Sequence, residues 1–218
     1  MTPGQPWVYC WYTPRPAGSH AMPHTSPASS RERLLHAAAE LFLRDGFGPV
    51  GLDRIIGAVG VTKTTFYNHF ESKDALILAV LGHRHEVEMK ELEDQAQAKA
   101  GDDPRGQILA IFDVLDAWFA APDFHGCIFL NAATEFPQRT DPIHEAALVH
   151  GAGLKRFVMD RALLAGASRT DAQSVADQVL LLINGAVVSR KTAGNRSAAT
   201  LARPMAELLL DRALSRRP

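Results

Sequence analysis

The sequence predicts an all-α protein, and three observations carry that expectation. Apolar residues recur at intervals of three and four through most of the chain. Glycine- or proline-containing breaks separate those stretches, and no alternating strand pattern of useful length occurs. At 218 residues the chain can bury a sizeable core without disulfides or metals.

Residues 1 to 28 are rich in Pro, Ser and Thr and lack periodicity, so they are expected to form a disordered arm. Within the arm, Gly18-Ser19-His20-Ala21-Met22 resembles a cloning remnant. In Ser30-Arg31-Glu32-Arg33 a serine cap leads into Leu34, Leu35, Ala38, Leu41 and Phe42, which share one helical face, and Gly46 ends the helix. A short segment with Leu52, Ile55, Ile56 and Val59 on one side stops at Gly60. Thr62 is expected to cap a third segment through Phe70, and Ser72 a fourth from Lys73 to about Ala100. Gly101-Asp102-Asp103-Pro104 is a break, with Pro104 suited to a first helical turn. Further helices are expected at 104–121, 128–136, 142–166, 171–194 and 198–215.

Composition excludes some functions. Apolar residues make up 46% and charged residues 22%, values ordinary for a soluble globular protein. Cys10 and Cys127 fit no disulfide or metal framework, and that usage suits a reducing cytoplasm. No apolar run approaches the roughly 18 residues of a membrane span, so neither a membrane partner nor a location outside the cytoplasm is expected. Gly-x-Ser-x-Gly, Gly-x-Gly-x-x-Gly, phosphate-loop and His-Glu-x-x-His patterns are all missing. His83 and His85 stand two apart on an expected helix and point in different directions. No catalytic residue, metal or cofactor is therefore expected. The net charge of −1 neither supports nor excludes a nucleic-acid partner, which leaves that question to local residues.

The informative window runs from Gly51 to Phe70. Two short helices meet at Gly60, which can take the positive φ of a tight interhelical turn, with Val61 as an apolar plug. Ile55, Ile56, Phe66 and Phe70 form the small core beneath. Thr62 caps the second helix, which carries Lys63, Thr64, Thr65, Tyr67, Asn68 and His69, side chains long enough to reach base edges and phosphates in a major groove. A recognition helix reads mainly through its first residues, so Lys63 and Thr64 lead that set. Lys73 opens the next helix and is a candidate phosphate anchor. The bland alternative is a solvated face on a generic bundle, but such a face has no need for Tyr67 among threonines.

The stretch from about Ser30 to Leu81 resembles the N-terminal domain of the TetR family of transcriptional regulators. The residues that carry the likeness are Ala39-x-Leu41-Phe42, Gly46-Phe47, Asp53-x-Ile55, Gly60-Val61-Thr62, Phe66-Tyr67-x-His69-Phe70 and Lys73-Asp74-x-Leu76. The resemblance implies a helix-turn-helix DNA-binding domain over 29–81, with a long connecting helix leading into a ligand-binding and dimerisation domain over 82–218. It places Lys63, Thr64, Thr65, Tyr67 and His69 on the recognition helix and Lys73 at a phosphate. The implied protein is a homodimeric repressor on a pseudo-palindromic operator in double-stranded DNA, released by a small-molecule effector. Gly51 stands where the family usually has Thr or Ser, so no hydroxyl contact is expected there. Ile56 replaces a usual alanine, which predicts slightly wider packing.

Val175, Val179, Leu182, Ile183, Ala186 and Val187 line one face, and Leu201, Met205, Leu208 and Leu209 line another. These could be core; the resemblance makes them a dimer interface. Phe112, Trp118, Phe119, Cys127, Phe129, Asn131, Glu135 and His150 mix aromatic with polar groups and are the candidate effector residues, with Phe136 and His144 nearby. The competing function is a small-molecule-binding bundle or enzyme with an incidental helix-turn-helix.

Overall fold

A computed structural model describes residues 29–215, so the expected arm over 1–28 lies outside the described residues. Among those residues there are nine helices and no strand. They are α1 (Ser30–Asp45), α2 (Leu52–Val59), α3 (Lys63–Tyr67), α4 (Lys73–Ala100) and α5 (Pro104–Ala120), followed by α6 (Ile128–Glu135), α7 (Pro142–Leu164), α8 (Arg169–Ala193) and α9 (Ala198–Ser215).

The ends obey local chemistry. Ser29, rather than Ser30, caps α1, because Glu32 reaches back three residues to close a reciprocal capping box. Gly60 adopts φ 72° and turns the chain from α2 into α3, while the Thr62 hydroxyl accepts from Thr65 N–H. The third helix is shorter than expected. It ends at Tyr67, and the Asn68, His69 and Phe70 amides close tight turns onto Thr64 and Phe66 instead.

Two apolar clusters share α4 as a common strut. Leu76, Ile77, Val80 and Leu81 from its first half join α1–α3, whereas Leu92 and Ala96 join α5, α7, α8 and α9. The head cluster also takes in Ile128, Phe129 and Ala132 of α6 and Ile143 and Ala147 of α7. A division at residue 81 therefore falls within one continuous helix, and the head leans on body elements. By length and composition α8 is the one described helix able to cross a bilayer. Its Ala172–Val175–Val179–Ile183 stripe is buried in the body core, and Arg190 and Lys191 bond the Phe119 and His125 carbonyls.

Candidate functional site

The helix-turn-helix places its polar residues outward. Phe66 and Phe70 are buried under α3, and this seats Thr62, Lys63, Thr64, Tyr67, Asn68 and His69 on the exposed side, with Thr65 half-buried. Tyr67 is 54% exposed and meets only the edge of Phe66 among aromatic rings. Lys63 Nζ lies 2.8 Å from Asp53 Oδ1 of α2, and this carboxylate bond raises the lysine pKa. Both groups are exposed, so a phosphate can displace the pair at little cost. Thr62 and Thr65 hydroxyls bond each other at 2.9 Å. Arg31, not anticipated from the sequence, is exposed at the border of this surface with its guanidinium 5.3 Å from the Phe70 ring.

Lys73 stands apart from that set. Its Nζ donates to the Phe47 carbonyl at 2.5 Å and lies 6.0 Å from the Phe42 ring. The ammonium expected at a phosphate is thus turned into the head, because the orphan carbonyl in the α1–α2 turn needs a donor.

A cavity of about 270 Å³ opens in the body among α4, α5, α6, α7 and α8. Of the candidate effector residues, Trp118, Cys127, Phe129 and His150 border it; Phe112, Phe119, Asn131 and Glu135 do not. Phe112 and Phe119 are buried in the body core instead. Around the void the walls are mostly apolar, with Ile111, Leu115, Leu154 and Ile183 among them, and the polar residues are Glu88, His150 and Asn184. Glu88 pairs with Arg84, and its Oε2 lies 3.8 Å from His150 Nε2. His150 stacks on Phe129, centroids 3.9 Å apart and 3° from parallel. Burial lowers the His150 pKa, opposed by Glu88 and assisted by His85 and Arg84. Desolvation pushes the Cys127 thiol up to about 12, which leaves it a poor nucleophile.

Glu135 does something else. At the end of α6 its carboxylate accepts from Phe47 N–H at 2.9 and 3.1 Å and from Gly48 N–H at 2.9 Å. The ring of neighbouring Phe136 meets Phe47 edge-on at 5.8 Å. Phe47 is thus held by its N–H to α6 and by its carbonyl to α4, and the head is clamped to the body at one turn.

The expected dimer residues divide by face. Val175, Val179, Ile183, Ala186 and Val187 are buried within the subunit, against α7 and α9, and are not available to a partner; Leu182 and Leu209 are half-buried. Of the expected residues Leu201, Met205 and Leu208 (70%) are exposed, and α8 also exposes Leu181 (71%) and Val188, which were not among them. On α8 the sequence pattern picked out the stripe that the subunit itself buries, because a core stripe and an exposed stripe are both apolar.

Residues 34–80 match the family described as bacterial regulatory proteins, tetR family, and residues 104–206 match the tetracyclin repressor-like C-terminal domain. A solved TetR-type transcriptional regulator from Streptomyces avermitilis is 34% identical and superposes with a TM-score of 0.75, covering 85% of this chain and 98% of that one. This chain belongs to the TetR family. Among curated relatives, the HTH-type transcriptional regulator LmrA of Bacillus subtilis is 27% identical over 172 residues, 78% of this chain and 90% of LmrA. The activator FasR of Mycolicibacterium smegmatis is 43% identical over 72 residues, so the chain spans 32% of FasR's own length. TetR membership makes this a DNA-binding transcriptional regulator with a helix-turn-helix.

Within the TetR architecture, Glu88 was the polar cavity residue hidden from sequence reading. A signal existed: it stands seven residues after Leu81 and four before Leu92, where the apolar stripe of α4 calls for another hydrophobe. Glu135 carried no such signal, since its partners are 87 and 88 residues away.

Proposed function

We propose that the protein is a cytoplasmic homodimeric repressor that grips a pseudo-palindromic operator with two copies of α3 and releases it when a small molecule occupies the cavity. The observation that carries this reading is the exposed polar face of α3, anchored from below by buried Phe66 and Phe70. Occupying the promoter needs no surface beyond that face, which favours repression. Two-fold pairing through Leu181, Val188, Leu201, Met205 and Leu208 would present two heads to half-sites roughly 34–36 Å apart.

Effector coupling passes through α6. Phe129, Leu130 and Ala133 border the cavity, and Glu135, two residues on, holds the α1–α2 turn. A ligand that prefers a shifted α6 therefore biases the head, by no more than its differential affinity for the two states.

A duplex operator selected from a random pool tests the reading by gel shift. Thr64→Ala and Tyr67→Phe should each weaken binding by about fivefold or more, the scale of a lost hydrogen bond repeated in two subunits. Dimer mass should be unchanged by light scattering. Normal operator affinity in both variants would remove α3 as the reading element. Equal affinity for selected and random duplexes would favour the alternative, a small-molecule-binding bundle with an incidental helix-turn-helix.

A further inference from the structure

We propose that the cavity takes a neutral, largely apolar molecule bearing one hydroxyl group, an alcohol or a phenol, with that hydroxyl seated between Glu88 and His150. This deepens, and rests on, the reading of the body as an effector-binding unit.

The hydrogen-bonding capacity left at the polar end sets the chemistry. Arg84 engages Glu88 Oε1, while Oε2 faces His150 Nε2 at 3.8 Å, beyond hydrogen-bond length. His85 Nδ1 and His150 Nδ1 are 3.4 Å apart, so one of them carries the shared proton. If His150 donated it, its Nε2 lone pair would point at a carboxylate. The satisfied arrangement has His85 as donor and the His150 proton on Nε2. A carboxylate acceptor and an N–H donor then flank one gap. A hydroxyl oxygen set beside the pair on the cavity side, about 2.8 Å from each atom, bridges them, donating to Oε2 and accepting from Nε2–H.

Heads that only donate or only accept satisfy half of that site. An ammonium donates but cannot accept, an ether accepts but cannot donate, and a carboxylate meets Glu88 with like charge. Arg84 and Glu88 cancel, so an ionic ligand would leave water without a counter-charge. Apart from Asn184 and the Cys127 thiol, the remaining wall is apolar, with the Trp118 and Phe129 rings and Leu115 and Leu154. Gly151 faces open space, with nothing within 4 Å of a Cβ built there. At about 270 Å³ the void suits a compact ligand near the lower bound of roughly 300 Å³ for such pockets.

The test uses the full chain at pH 7.5 and four naphthalene probes of one shape: 2-naphthol, 2-methoxynaphthalene, 2-naphthoate and 2-naphthylmethylammonium, titrated by calorimetry. The expected result is saturable binding of 2-naphthol at one site per subunit. The methoxy probe should bind at least about tenfold more weakly, and both ions more weakly still. His150→Phe removes the donor and should weaken both 2-naphthol and the methoxy probe by about fivefold or more, and Gly151→Leu should remove binding of both. Equal binding of hydroxyl and methoxy probes, tighter binding of either ion, or no saturable binding would each overturn the proposal. The four-probe comparison on the unmodified protein decides it even if a variant fails to fold. No DNA is present, so failure here is separate from failure of the operator test.

Discussion

His150 is packed flat against Phe129 and surrounded by Glu88, Arg84 and His85, with little water left around it. Burial outweighs the carboxylate and holds its pKa below the ordinary 6.5. The unfolded chain therefore binds a proton below pH 6.5 that the folded chain refuses. Stability is whole above that pH and falls as pH drops from 6.5 toward the folded-state value. His36 is shifted the same way by burial, whereas Glu40 and Glu91 are raised by burial and act oppositely at lower pH. Urea unfolding of the native protein and of His150→Phe between pH 7.5 and 5.5 separates these contributions. The variant should show a flatter decline, and identical slopes would remove His150 as a source.

At the scale of elements, the decisive contact joins α6 to the turn after α1. Hydrogen bonds to a charged group contribute about 1.5–3 kcal/mol, so Glu135→Ala should cost roughly that much. Amide exchange at Phe47 and Gly48 should speed up, since both lose their acceptor. The glycines there make a matched pair. Gly46 has φ 84° and ψ 168°, a region open essentially to glycine alone, and a Cβ would stand 3.0 Å from Glu135 Oε1. Gly46→Ala is expected to destabilise by about 1–3 kcal/mol. Gly48→Ala places its Cβ at an ordinary 3.7 Å and should change stability by no more than about 0.5 kcal/mol. Thermal melts distinguish the two; equal effects would mean the turn is not constrained as described.

For the molecule as a whole, α8 and α9 each carry two apolar faces with different tasks. The inward faces close the body core, and the outward one leaves Leu181 and Leu208 mostly bare. Monomeric soluble proteins rarely leave contiguous patches of that kind. Leu181→Glu with Leu208→Glu should yield monomers by light scattering while helicity by circular dichroism is retained. Val179→Glu, on the buried face, should unfold the body instead. A double variant that stays dimeric would move the interface elsewhere.

The sequence by itself determined the helices and the head. Caps, glycine stops and three-to-four spacing are local signals, and the turn at Gly60 with Phe66 beneath is complete within about twenty residues. The outward face of α3 was legible for the same reason: a five-residue helix with buried Phe66 has one way to face outward. Tertiary structure alone decided the roles that depend on residues far apart in the chain. Lys73 found a carbonyl 26 positions away, and Glu135 found amides 87 and 88 positions away. The stripes of α8 were assigned to core or surface only when α7 and α9 packed against one of them. Periodicity reports that a face is apolar; which neighbour covers it, and where a void remains, depends on how the helices pack in three dimensions.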